Sequence, residues 1–138
     1  MSAMKAVLVI ARPKLVEKFK AALMASSGQW LRDHATFTFM SSYDEALRLI
    51  EGQPGFDALL LAASLDGMNS KAARTGELAT GAENIKIPIR VAASPDLSLN
   101  MQLRMSGCNH ETAKGLGALF FMDTLRLLET LLKGDVPE

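Results

Sequence analysis

The sequence predicts a doubly wound α/β domain, in which a parallel five-stranded sheet is covered by helices on both faces, and three observations carry that expectation. Five short strand-like runs alternate with five helix-like segments over short connections. The middle stretch, residues 56 to 69, opens on Phe56-Asp57, is apolar from Ala58 to Ala63 and stops in a polar, Gly-containing loop that begins Ser64-Leu65-Asp66-Gly67, as a strand buried on both faces does when it leaves a sheet. The second run, residues 35 to 40, instead alternates Ala35, Phe37 and Phe39 with Thr36, Thr38 and Met40, which describes a half-covered edge strand.

Taken in order, residues 5 to 11 form the first β-branched apolar run, and Pro13 suits the first turn of the helix that follows. In that helix Leu15, Val16, Phe19, Ala22 and Leu23 share one face, and it is expected to stop near Ser26-Ser27-Gly28. After the edge strand, Ser42 and Glu45 make a capping box for a helix with Ala46, Leu47 and Ile50 on one face. Gly52 ends it, with Pro54 beyond. The central strand comes next, followed by a polar stretch from Asn69 to Lys86 in which residues 71 to 80 suggest a weakly amphipathic helix. Ile85 to Ala93 reads as a fourth strand, with Pro88 near its beginning. Ser94, Pro95 and Asp96 open a helix that Gly107 closes. Residues 109 to 114 suit a short edge strand, and the last helix spans about 116 to 133. An edge strand placed second in sequence implies the order 2-1-3-4-5, the flavodoxin-like arrangement.

Composition bounds function. The chain has 138 residues, 49% of them hydrophobic, which fits one compact domain with a real core. Fifteen basic residues balance fifteen acidic ones, so no overall charge draws it to nucleic acid or an anionic membrane. A single cysteine, Cys108, excludes an internal disulfide and fits a reducing compartment, with cytoplasm as the expectation. The only N-terminal apolar run is too short for a signal peptide or a membrane span.

The stretch Ser42 to Leu61, the segment Ile87-Pro88-Ile89, and Gly107 followed seven residues later by Lys114 resemble the receiver domain of bacterial response regulators, the CheY-like family, over roughly residues 4 to 133. The resemblance implies a site with an aspartate nucleophile ending strand three, an acidic pair after strand one to hold Mg²⁺, and a hydroxyl and a lysine to grip the phosphoryl oxygens. Position by position, the nucleophile falls on Ala62, the acidic pair on Ile10 and Ala11, and the hydroxyl on Ala93, with Ser94 adjacent. Only Lys114 is retained, and Gly115 replaces the proline that follows it in the family. A methyl group cannot attack a phosphodonor, and Mg²⁺ needs hard oxygen ligands. The resemblance thus implies a degenerate pseudo-receiver, with the fold kept for protein contacts in a two-component-type pathway, no catalysis, no metal and no cofactor.

Other constellations have both a chemical and a plain reading. Arg12 and Lys114 would share an electropositive crevice with Ser64 and Ser94, suited to a small anion or nucleotide, or they are two solvated side chains on neighbouring loops. Gly115-Leu116-Gly117 imitates the start of a dinucleotide fingerprint, but Phe120 stands at the third small position and no strand follows. His34, Cys108 and His110 are too scattered for zinc. On the last helix Ala118, Phe121, Leu125, Leu128 and Leu132 form one apolar stripe, and Leu116, Phe120, Leu127 and Leu131 a second. Receiver-like domains commonly pair through helix four, strand five and helix five, so the second stripe is expected to serve a partner or a homodimer. With about five residues after that helix, the output is expected in trans.

Overall fold

The computed structural model describes residues 4–11, 13–41, 43–52, 55–61, 87–93, 97–112 and 118–134. Within them lie strands β1 (Lys5–Ile10), β2 (Ala35–Met40), β3 (Ala58–Leu61), β4 (Ile89–Ala92) and β5 (His110–Glu111). The helices are α1 (Pro13–Met24), α2 (Gln29–His34), α3 (Tyr43–Gly52), α4 (Leu97–Ser106) and α5 (Ala118–Lys133), with a 3₁₀ turn at Ser26–Gly28. All five strands are parallel and lie in the order β2-β1-β3-β4-β5, as expected of a doubly wound sheet.

Alternation along the strands builds two cores. Val7, Val9, Leu60 and Val91 point to the side covered by α1, α2 and α5, where Leu15, Val16, Phe19, Leu31, Phe121, Leu125 and Leu128 meet them. Leu8, Ile10, Leu59, Leu61 and Ala92 point to the other side, against Ala46 and Ile50 of α3 and Leu103 of α4. The central strands are therefore apolar on both faces, because water reaches neither. Asp57 sets the register where β3 begins. Its carboxylate accepts the Ala6 N–H at 2.8 Å, and its own N–H donates to the Ala6 carbonyl at 2.8 Å.

The chain departs from expectation in three places. Residues 29–34 form α2, a helix of six residues without a period long enough to read. Arg32 of α2 reaches back to donate to the carbonyls of Leu23 and Ala25, at 2.6 and 2.7 Å, which satisfies the C-terminal end of α1 with a cation. The fourth strand is shorter than residues 85 to 93. Pro88 precedes it, and Arg90 and Asn109 close its start: Arg90 N–H donates to the Asn109 side-chain oxygen at 2.8 Å, and Asn109 Nδ2 donates to the Pro88 carbonyl at 2.9 Å.

The third departure corrects the expected interface on the last helix. Phe120 is 2% exposed and Leu131 7%, and both belong to the core, while Leu127 packs against it in part. Both stripes carry core residues because α5 buries itself against α1 as well as against the sheet. Phe19 of α1 packs against two of them, with ring centroids 6.3 Å from Phe120 and 4.9 Å from Phe121. Leu116 of the proposed stripe lies outside the described residues, as does the helix expected over 71 to 80.

Candidate functional site

In a sheet of this order ligands gather beyond the carboxyl ends of the strands. There the hydrogen-bond ladder runs one residue past β1, β4 and β5. Ala11 N–H donates to the Met40 carbonyl at 2.9 Å, Ala93 N–H to Leu61 at 2.9 Å, and Thr112 N–H to Ala92 at 3.0 Å. Neighbouring residues of an extended chain point to opposite faces, so Ile10 enters the core under α3 and Ala11 the core under α1 and α5. Both are fully buried, and so is Ala93. The floor of this edge is therefore hydrocarbon at the three predicted positions that the structure describes. Ala62, the expected nucleophile position, lies outside the described residues, as do Arg12, Ser64, Ser94 and Lys114 of the expected anion crevice.

Part of the polar chemistry at the described edge is inward-facing. The hydroxyls of Thr112 and Thr124 are 2.7 Å apart in the interior, and Thr124 donates to the Phe120 carbonyl at 2.7 Å. This pair ties the end of β5 to α5 and was not legible in the sequence, where Thr124 looks like a polar interruption of an apolar stripe. Among the described residues no three His, Cys, Asp or Glu side chains stand close enough together to hold a metal ion. Of the described acids near the sheet, Asp57 is at the opposite end of β3, and Glu111, the last residue of β5, is engaged by Arg104 at 3.2 Å.

The β4–β5 side carries two perturbed groups. Burial pushes the Cys108 thiol up to about 12, against smaller opposing effects of Arg90 and Arg104, so at neutral pH it is an inert apolar side chain. His110 is lowered, first by burial and then by Arg104 and Arg90. The fold thus favours its neutral form, and the unfolded chain takes up the proton first. Stability from this residue is full above the ordinary histidine pKa of about 6.5 and is lost as pH falls below it, until the lower native value is passed. His110→Gln is expected to reduce the loss of unfolding free energy between about pH 7.5 and about pH 5.5 in urea titrations. An unchanged difference between the two pH values would remove His110 from that account.

Two further surface features lie on helices. Met101 and Met105, one turn apart on α4, are 66% and 86% exposed, beside the Arg104–Glu111 pair. Near the end of β2, Met40, Glu45, Arg48, Leu49 and Gly52 line an open pocket of about 490 Å³. Its rim carries a carboxylate and a guanidinium, so it selects for neither sign of charge.

Comparison with solved structures agrees with the topology. The chain superposes on the phosphorylated cyanobacterial phytochrome response regulator RcpA with a TM-score of 0.71, over 98% of each chain at 13% identity. The fold is that of the receiver domain. A CheY-like receiver domain protein from Methanospirillum hungatei matches with a TM-score of 0.65 over 97% of this chain and 100% of that chain, at 13% identity. The pilus assembly protein CpaE from Caulobacter crescentus matches at 0.61, over 91% of this chain and 98% of that chain, at 18% identity. No family model and no curated protein sequence matches the chain. Within this receiver fold, Ile10 and Ala11 close the first strand with side chains that carry no oxygen. Among the described residues no helix is long and apolar enough to cross a membrane.

Proposed function

We propose that this chain is a receiver-fold signalling module that works through protein contacts, independently of phosphorylation and without catalysis of its own. The observation that carries the reading is the end of β1, where Ile10 and Ala11 are fully buried in the two apolar cores at the place a receiver domain needs paired carboxylates for Mg²⁺. A divalent cation has no ligand in either side chain, and placing one there would strip it of water without replacing the lost oxygens. Ala62 at the nucleophile position adds the same argument from sequence. The likeness to a protein described by pilus assembly, alongside response regulators, fits a role in contacts.

The partner surface moves from the last helix to α4 and β5. Exposed Met101 and Met105 are flexible, polarisable side chains that adapt to a partner, and the Arg104–Glu111 pair beside them supplies a polar rim. The test is recovery of a partner from extracts of the native cell without any phosphodonor. The wild-type chain is expected to retain a protein that Met101→Glu/Met105→Glu loses, both variants being equally folded. Retention that depends on a phosphodonor would overturn the reading. The alternative, an anion sensor at Arg12 and Lys114, would be favoured by a phosphate- or nucleotide-dependent rise in melting temperature that Lys114→Ala abolishes.

A further inference from the structure

We propose that two copies of this chain associate by pairing their β2 strands, antiparallel, about a twofold axis at Phe37. The inference concerns a different surface from the partner face on α4 and stands whether or not the module is phosphorylated. Among the described residues β2 ends the sheet and pairs only with β1. Because the Met40 carbonyl accepts from Ala11, the backbone of Met40, and by alternation that of Thr38 and Thr36, turns toward β1. The backbone groups of Ala35, Phe37 and Phe39 therefore turn outward. The Ala35 N–H is used by the Leu31 carbonyl at the end of α2. That leaves the N–H and carbonyl of Phe37 and Phe39 and the carbonyl of Ala35 along the open edge.

Sheet edges are ordinarily guarded by a charge, a proline or a bulge, and the six residues Ala-Thr-Phe-Thr-Phe-Met contain no charge and no proline. With Phe37 on the axis the strand is complementary to itself. Phe37 lies opposite the partner's Phe37 and the two exchange N–H and carbonyl. Phe39 lies opposite the partner's Ala35 and donates to its free carbonyl, giving about four backbone hydrogen bonds across the axis. On one face small Ala35 accommodates large Phe39, beside the two Phe37 rings. On the other face Thr36 meets the partner's Thr38, a favourable cross-strand pair.

The flanking helices supply charge and apolar complementarity. Lys20 of α1 holds its ammonium 5.3 Å from the Phe39 ring, at the end of β2 where the register brings in the start of the partner's strand. That start is preceded by Asp33, an exposed acid with no ion pair among the described residues. Lys20 and the partner's Asp33 are thus opposite charges at each end of the paired strands. Met24, one turn beyond Lys20 on the same face of α1, is 70% exposed, and pairing would cover it.

Sedimentation equilibrium on the full chain tests the proposal, with melting curves to show that each variant is folded. The wild type is expected to be dimeric, with amide exchange at Phe37 and Phe39 slowing as concentration rises. Thr36→Lys, an exposed edge substitution, is expected to weaken the dimer at least about tenfold. Asp33→Lys and Lys20→Asp are each expected to weaken it, and the double variant to restore it. A wild type that stays monomeric, a dimer indifferent to Thr36→Lys and to the charge exchange, or an edge occupied only by a strand of another protein would each overturn it.

Discussion

Replacing Phe19 by alanine is expected to lower the unfolding free energy by about 3–5 kcal/mol, the cost of emptying an aromatic site in a packed core. Phe19 is 1% exposed on α1, meets Phe121 edge-on at 4.9 Å, and stands 6.3 Å from Phe120. Phe120 and Phe121 are themselves edge-on at 5.0 Å. The three rings join α1 to α5 above the sheet, so truncating Phe19, the one that α1 contributes, leaves a cavity that neither helix can close without moving off the strands. A domain of this size has a total stability of about 5–15 kcal/mol, so the variant is expected to be marginally folded. Urea unfolding checks it, with Phe19→Leu as the control that should lose much less. A loss under about 1 kcal/mol for Phe19→Ala would show that the aromatic cluster does not hold α5 down.

Gly28→Ala is expected to cost about 2–3 kcal/mol, from crowding rather than from lost contact. A Cβ on Gly28 would stand 2.2 Å from the Leu23 carbonyl oxygen and 2.8 Å from its carbon, both backbone atoms. The same carbonyl accepts the Arg32 guanidinium at 2.6 Å, so moving Leu23 aside also disturbs the cap that closes α1. The melting temperature is expected to fall by several degrees, whereas Gly52→Ala, whose Cβ meets nothing within 4 Å, is expected to change it little. Equal effects at the two glycines would remove the close approach as the cause.

The central strand was legible in the sequence because burial on both faces removes any need for polar alternation, and β2 was legible because partial cover restores it. The strand order followed from that contrast. What misled lies where two helices bury one another. Set against a single sheet face, the second apolar stripe of the last helix, with Phe120 and Leu131, is more than one buried side needs. Phe19 of α1 is the missing second wall, and a one-dimensional pattern does not say which helix will stand there. α2 escaped for the opposite reason. Six residues give less than two turns of periodicity, and its place is fixed by the tight approach of Gly28 and by Arg32 reaching to α1, both contacts between segments. Of the candidate site, the identities Ile10, Ala11 and Ala93 were readable as residues without oxygen, but their burial needed the strand register. Thr112 and Thr124, twelve residues apart, form a pair that only the packing of α5 on the sheet brings together.

Hydrocarbon at the end of β1, together with Ala62 after β3 in the sequence, is expected to end the phosphoryl chemistry of this fold. Intact-mass measurement after incubation with acetyl phosphate and Mg²⁺ tests it most directly. An unchanged mass is the result expected of Ile10, Ala11 and Ala62. A gain of one phosphoryl group, labile as an acyl phosphate and dependent on Mg²⁺, would contradict it.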